Sequence, residues 1–136
     1  DGYAQAMSDH GLTPVSVETM EKSSFTGGST LMQRVLADHS ETDGVFCTND
    51  DVAVGAYFEC IRQRISVPDE MAIAGFHALD IGQAMIPRLA SVRTDRYGIG
   101  ARATVELLNC LSGKLPSQMI IDVGFQIDLG ETVQKT

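Results

Sequence analysis

Short apolar runs that alternate with helix-like segments are the feature that most constrains how this chain folds. DGVFCT (residues 43–48) and MAIAGF (71–76) are almost continuously apolar, and LASVRT (89–94) is also strand-like. Continuous apolar strands are typical of a parallel sheet that helices cover on both faces. Helices between such strands make right-handed crossovers. The pattern therefore predicts an α/β fold built on a parallel sheet.

Further segments fit the same alternation. TPVSVE (13–18) alternates and is rich in β-branched residues, so it is predicted to be a strand, and SSFTGG (23–28) is predicted to be a loop. Apolar residues at helical spacing predict helices over 30–36 and 97–111. The run MIIDVGFQIDL (119–129) is predicted to be a final strand with a bend at Gly124.

Composition limits the classes of function. The chain has 136 residues, 43% of them hydrophobic, and a formal net charge of −8. This size suits one compact unit with a sizeable core, and the negative charge disfavours direct contact with nucleic acid. Nothing approaches the 18 or so apolar residues that a membrane-spanning helix needs, so no membrane partner is expected.

The cysteines and histidines do not have the spacing of a metal site. Three cysteines, Cys47, Cys60 and Cys110, lie far apart and form no CxxC pair. We interpret them as buried, reduced thiols of a cytoplasmic protein. Zinc requires closely spaced ligands, which the three histidines do not supply, so no metal and no cofactor are expected.

Two polar clusters follow predicted strands, at the edge where ligands of parallel sheets collect. Thr48, Asn49, Asp50 and Asp51 follow the first apolar strand, and His77 follows the second. At least one of the acidic or amide residues is expected to cap the next helix, which leaves room for Asn49 to bind a ligand as well. Taken alone, His77 is more simply a partly buried histidine that satisfies a backbone carbonyl.

An enzyme is a less favoured alternative. Asp50 and Asp51 are an acidic pair that resembles a magnesium site of phosphoryl-transfer domains. However, no nucleophile–base pair accompanies them, and no glycine-rich phosphate loop opens a helix. We therefore expect no catalytic residues.

Four segments together resemble a known family. DGVFCTNDDVAVGA, ISVPDEMAIAGF, PRLASVRTDRYGIGARA and VGFQIDLGETV are similar, in order and spacing, to the effector-binding core of LacI/GalR-type transcriptional repressors. Within that family, GFHALDIGQAMIPRLASV is most similar to repressors of gluconate operons.

The resemblance implies a periplasmic-binding-protein-like fold of type I, with two Rossmann-like subdomains and an effector between them. Residues 1–93 would form most of the C-terminal subdomain, 94–120 a crossover and a helix of the other subdomain, and 121–136 the returning strand. The chain has no initial Met and starts within a helical pattern, so we expect it to be part of a longer protein. The repressor's DNA-binding domain would lie outside it.

The resemblance also assigns residues to the effector site. Asn49 matches an asparagine that hydrogen-bonds effector hydroxyls, and Asp50 matches its neighbouring aspartate. Arg96 falls where many members place a side chain against the ligand at a crossover. Ser24 and Phe25 fall near a loop that often supplies an aromatic wall.

His77 departs from the family pattern, because sugar-binding members usually carry an aspartate there. An aspartate about 4 Å from a sugar acid's carboxylate would cost roughly 4 kcal/mol at an effective dielectric near 20. Histidine removes that repulsion and offers a hydrogen-bond donor. The substitution therefore favours an anionic effector such as gluconate.

The resemblance further implies a homodimer, with operator DNA bound only through the other domain. Four residues are more apolar than a solvated face needs and are predicted to lie in the dimer interface: Tyr57, Phe58, Ile81 and Met85. The nearest alternative is the sugar-binding lobe of a periplasmic transport protein, which shares the fold. VPDEMAIAGF and the three unpaired cysteines favour the repressor.

Overall fold

The computed structural model describes residues 2–114 and 118–133. Helices and strands alternate along most of this part of the chain, which confirms the predicted α/β class. The elements are α1 (Gly2–Asp9), α2 (Phe25–Asp38), β1 (Gly44–Phe46), α3 (Asp50–Gln63), β2 (Ala72–Phe76), α4 (Asp80–Ala84), β3 (Ala90–Thr94), α5 (Arg96–Leu111) and β4 (Phe125–Asp128).

The four strands form one sheet in the order β1-β2-β3-β4. β1, β2 and β3 are parallel, with Val45 beside Ile73 and Gly75 beside Ser91. β4 runs antiparallel to β3, so the sheet is mixed and not parallel throughout as predicted. The carboxyl ends of the first three strands consequently share one edge.

The core lies between one face of this sheet and the pair α2–α3. Ile73 of β2 and Val54 of α3 are buried in one cluster with Met32 of α2. Residues on β2 alternate between buried and half-buried, as expected when only one face is tightly packed. On the opposite face Phe46 and Ile127 remain exposed.

The two helices α2 and α3 touch through their backbones. A Cβ atom at Gly28 would lie 2.2 Å from the carbonyl oxygen of Val52, and one at Gly55 would lie 2.1 Å from that of Phe25. Real Cβ atoms do not approach other atoms so closely, so both positions require glycine. The predicted loop over residues 23–28 is partly helical instead, because α2 begins at Phe25 with Ser24 as its N-cap, and the contact with α3 requires glycine at position 28 despite its low helix propensity.

A buried carboxylate also joins the two helices. Glu59 of α3 has no exposed surface and accepts hydrogen bonds from Ser29 Oγ (2.8 Å), Gln33 Nε2 (3.0 Å) and Gln63 Nε2 (2.9 Å). Arg62 Nη1 lies 3.2 Å from the same carboxylate. The hydrogen bond from Gln63, with those from Gln33 and Ser29, lowers the pKa of Glu59 although its burial opposes this.

The predicted strand over residues 13–18 does not form. Instead of a strand partner, Val15 has the Tyr3 hydroxyl, which donates to its carbonyl (3.1 Å) and accepts from its N–H (3.2 Å). The predicted bend at Gly124 is confirmed by its φ of +69°, and β4 occupies only the residues after it. Beyond β4, Thr132 Oγ1 donates to Ile73 O (2.6 Å) and accepts from Ala90 N (2.9 Å), which ties the segment after β4 to β2 and β3.

Two of the three cysteines are buried as predicted. Burial, more than the nearby acidic groups, raises the pKa of Cys47 to about 12 and that of Cys60 to about 11. Cys110 is exposed on α5, contrary to the prediction. Among the described residues, no helix combines the length and apolar character needed to cross a membrane.

Candidate functional site

Three predicted site residues follow the carboxyl ends of the three parallel strands. Asn49 comes shortly after β1, His77 immediately after β2, and Arg96 two residues after β3. The parallel register places all three at one edge of the sheet. This edge, here called the effector edge, is where α/β sheets bind ligands.

Asn49 is both a helix cap and a contact to a second loop. Its Oδ1 accepts the N–H of Val52 (3.0 Å) at the start of α3, which confirms the predicted cap. Its Nδ2 donates to Ser23 Oγ (2.7 Å). An amide nitrogen carries two hydrogens, so this contact leaves one of them for another acceptor.

The Ser23 contact brings the start of α2 to the effector edge. Ser24 is the N-cap of α2, and its Oγ accepts the N–H of Gly27 at 3.0 Å. Phe25 follows with 43% of its surface exposed, against the first turns of α3. Ser24 and Phe25 therefore lie at the same end of the molecule as Asn49.

His77 occupies a turn with an unusual backbone. Its φ is +98° and that of Ala78 is +48°. The ring Nδ1 lies 3.3 Å from Thr94 Oγ1 at the end of β3, and the ring meets Phe76 edge-on with centroids 4.8 Å apart. In the part of the chain that the structure describes, Thr94 is the ring's only hydrogen-bonding neighbour, so one ring nitrogen remains for a ligand.

Asp50 lies inside the protein. The residue has no exposed surface, and its carboxylate accepts hydrogen bonds from Ser91 Oγ (2.7 Å) and from the N–H of Leu79. The sequence resemblance places Asp50 in the effector site beside Asn49, but both of its oxygens have partners within the protein.

Arg96 is the exposed first residue of α5, whose N-cap is Asp95. It borders an open groove of about 900 Å³ between the start of α5 and the start of β4. Neither Asn49 nor His77 lines this groove. Thr94 does, and because it also contacts His77 it joins the groove to the effector edge.

Sequence reasoning missed the polar partners at this edge. Ser23, Thr94 and Ser91 hold Asn49, His77 and Asp50 respectively. Ser23 adjoins a predicted site residue and Thr94 ends a predicted strand, so position alone gave a weak signal for both. No local signal marks Ser91, because its partner lies 41 positions away.

The residues that the structure describes contain no group of three or more histidine, cysteine or acidic side chains that would hold a metal ion. Asp50 is turned into the sheet, where Ser91 and Leu79 occupy its carboxylate. The arrangement at the effector edge is instead one of hydrogen-bond donors and an aromatic ring, which suits a polar organic ligand.

The four predicted interface residues lie on α3 or on and directly after α4. Tyr57 and Phe58 of α3 have ring centroids 6.2 Å apart, and the Tyr57 hydroxyl donates to Ile86 O at 2.9 Å beyond α4. Phe58 is 47% exposed and Ile81 is 42% exposed, whereas Met85 packs against the core. Phe58 lies about 12 Å along α3 from its start.

Comparison with known proteins decides the family. Residues 1–133 match the periplasmic binding protein-like domain. The chain belongs to this family. Its alternating strands and helices and the effector edge described above are consistent with such a domain.

Relatives in this family are regulators of transcription. The chain is 48% identical to the HTH-type transcriptional regulator GntR of Escherichia coli (strain K12) and 42% identical to the HTH-type transcriptional regulator IdnR of the same strain. In each case 97% of the chain is matched, and it spans 40% of the relative's length. The predicted resemblance to repressor effector-binding cores is therefore confirmed.

Solved structures agree. The crystal structure of the transcription regulator GntR from Chromobacterium violaceum superposes with a TM-score of 0.88 at 34% identity. The match covers 97% of this chain and 49% of that one. The fold of the periplasmic binding protein-like domain is thus retained.

Proposed function

We propose that this chain is the effector-sensing and dimerising part of a LacI-type transcription regulator whose effector is gluconate or a related sugar acid. The observation that carries the proposal is His77, which stands beside Thr94 at the effector edge that Asn49 also reaches. An imidazole can donate a hydrogen bond to a carboxylate, whereas an aspartate would repel it. Relatives named as transcriptional regulators support the regulatory class.

Each residue at the edge has a chemical role in this proposal. The free amide hydrogen of Asn49 donates to a hydroxyl of the effector, and His77 donates to the carboxylate. Arg96 adds a positive charge at the adjoining groove. Phe25 provides an apolar wall for the carbon chain, and the position of Ser24 before it fixes the start of α2.

The remaining parts of the protein follow from the same proposal. Residues 1–93 form most of the C-terminal subdomain, and residues 94–120 form a crossover and a helix of the other subdomain. Residues 121–136 return to the C-terminal subdomain as a strand, and the pairing of β4 with β3 supports this division. With a net charge of −8, the chain contacts operator DNA only through a separate domain, in the cytoplasm. Two copies associate through the neighbourhood of Tyr57, Phe58, Ile81 and Met85.

A periplasmic transport protein is the less favoured alternative, since it shares the fold. The regulators among the relatives and the free thiols Cys47, Cys60 and Cys110 argue against it. A gel-retardation assay of the natural protein with operator DNA distinguishes the two classes. A change in retardation when gluconate is added would support the regulator. A protein that binds gluconate but no DNA would support the transporter.

The substitution His77→Asp tests the effector class. The backbone is retained, because histidine and aspartate are both among the residues that tolerate positive φ. We expect the affinity for gluconate to fall by about 1–4 kcal/mol, from the repulsion between two carboxylates about 4 Å apart. Isothermal calorimetry on the natural protein gives the measurement.

Two controls make that result specific. His39→Asp introduces the same charge change at the end of α2, away from the effector edge, and should leave the affinity unchanged. The uncharged sugar glucose should lose much less affinity for the His77→Asp variant than gluconate does. An unaltered gluconate affinity in His77→Asp would remove the reason for assigning a sugar acid.

A further inference from the structure

We propose that Asp50 is a positioning residue, which places His77 on the effector edge from inside the protein, through Ser91 and the backbone of residues 78 and 79. The inference rests on the proposed effector site. It gives Asp50 a role in binding without contact with the effector.

The contacts form a continuous chain from α3 to the turn that holds His77. The Asp50 carboxylate accepts Ser91 Oγ at 2.7 Å and the N–H of Leu79. Ser91 Oγ in turn accepts the N–H of Ala78 at 3.0 Å. The two backbone N–H groups that follow His77 are therefore both held by this pair of side chains.

The turn needs such support because its conformation is unfavourable. His77 and Ala78 both have positive φ, at +98° and +48°, and residues with a Cβ rarely adopt these values. On the other side, the N–H of His77 donates to Val92 O of β3 at 2.8 Å. Three consecutive N–H groups are thus fixed, and they hold the ring beside Thr94.

The sheet leaves room for this carboxylate. A Cβ atom at Gly75 would lie 2.3 Å from Asp50 Oδ1, closer than any side chain allows. Gly75 lies on β2, between α3 and the Ser91 of β3 that it faces in the register. The absence of a side chain at Gly75 therefore lets Asp50 reach across β2 to β3.

The energetics favour a fixed arrangement. A buried carboxylate is tolerated only when hydrogen bonds satisfy it, and hydrogen bonds to a charged acceptor are strong where water is excluded. Within the described residues, every buried side-chain nitrogen and oxygen has a partner. Displacement of the turn would remove the Leu79 N–H from Asp50 and the Ala78 N–H from Ser91, so the position of His77 is coupled to these two buried groups.

The experiment follows the histidine signals by NMR in the natural protein with isotope-labelled histidine. In Ser91→Ala and in Asp50→Asn we expect the ring signals of His77 to shift. The signals of His10, which follows α1, and of His39, which follows α2, should stay in place. The affinity for gluconate, used as the probe, should fall roughly ten- to a hundredfold, the range that corresponds to the loss of one hydrogen bond to a charged group.

Two further variants separate positioning from general destabilisation. Ile73→Val removes a buried methyl group from β2 and should leave both the His77 signals and the affinity unchanged. The double variant Asp50→Asn/Ser91→Ala should bind gluconate no more weakly than the weaker single variant, because the two residues act as one chain.

The outcomes are distinct. Unmoved His77 signals in Ser91→Ala would overturn the positioning role, even if affinity fell. If Asp50→Asn does not fold, Ser91→Ala decides, since it removes only a hydroxyl. A wild-type protein that binds no gluconate or other aldonate would refute the proposed function, while the His77 signals would still decide the role of Asp50.

Discussion

At the scale of single residues, Asn49 combines two contacts that are chemically separable. Its oxygen stabilises α3 by accepting the N–H of Val52, and its nitrogen faces Ser23 and the effector edge. Serine retains an oxygen acceptor for the cap but has no amide. Substitution at this one position can therefore distinguish stability from binding.

For Asn49→Ala we expect the free energy of unfolding to fall by about 1 kcal/mol, because Val52 loses its capping acceptor. Asn49→Ser should remain within about 0.5 kcal/mol of wild type, since serine caps comparably. Both variants should bind gluconate more weakly, because neither offers the amide hydrogen. Urea denaturation and calorimetry measure the two effects, and wild-type affinity in Asn49→Ser would remove Asn49 from the site.

The same region shows how far sequence could predict residue roles. The cap at Asn49 was predictable because its partner Val52 lies three positions away. The burial of Asp50 was not, because Ser91 and Gly75 become its neighbours only when β2 and β3 are in register. Adjacent residues of similar chemistry consequently face opposite environments.

At the scale of elements, sequence predicted most helices and buried strands but missed features that depend on neighbours. β1, β2 and β3 were predictable from continuous apolar runs. Residues 13–18 have strand propensity, yet Val15 pairs with the Tyr3 hydroxyl and no strand forms. The start of α2 was missed because Gly27 and Gly28 disfavour helix locally, and the close approach of Gly28 to Val52 explains why glycine stands there.

The contact between α2 and α3 should make stability depend on pH through Glu59. The pKa of Glu59 is lowered in the folded state, chiefly by the Gln63 hydrogen bond. Its stabilising contribution is therefore present above the ordinary pKa of 4.5 and is lost as pH falls below that value toward the lowered one. We expect the free energy of unfolding to decline less steeply in Glu59→Gln than in wild type between pH 5 and pH 3, as measured with urea.

A matched control is Glu41→Gln, which removes an exposed glutamate from the loop after α2 and should retain the wild-type slope. Some acid dependence should persist in every variant, because the pKa of Asp128 is also lowered. Burial raises it, but the hydrogen bonds from Gly130 and Arg93 together with the charges of Arg88 and Arg93 outweigh burial. Identical slopes in wild type and Glu59→Gln would show that the buried network does not favour the ionised form.

At the scale of the whole molecule, two apolar surfaces have different locations. One comprises Tyr57, Phe58, Ile81 and Ile86 around α3 and α4, and the other lies on the open face of the sheet near Phe46 and Ile127.

Composition and charge predicted one acidic α/β unit. The reversed direction of β4 was not predictable, because it depends on the path of the chain between α5 and the sheet, for which local sequence gives no rule.

The proposed dimer gives a prediction for the first surface. Phe58→Glu should raise the dimer dissociation constant of the natural protein at least tenfold. The reason is that burial of a phenylalanine contributes about 1.5–3 kcal/mol and a buried glutamate is unfavourable. Analytical ultracentrifugation at micromolar concentration measures this.

Met20→Glu is the control for that substitution, because Met20 is a fully exposed apolar residue outside both surfaces. It should leave the association unchanged. A natural protein that sediments as a monomer, or a Phe58→Glu variant as dimeric as wild type, would contradict an interface at α3 and α4.

The glycine contact between α2 and α3 has a consequence for how such a site changes over evolution. Main-chain atoms at Gly28 and Gly55 set the distance between the two helix starts, so that distance does not depend on the side chains displayed there. Exchanges at Ser24, Phe25 or Asn49 can therefore alter ligand preference one position at a time on an unchanged frame. A single exchange at either glycine would instead shift all of those positions together. New specificities are therefore reached more readily by exchanging the displayed side chains than by exchanging the glycines.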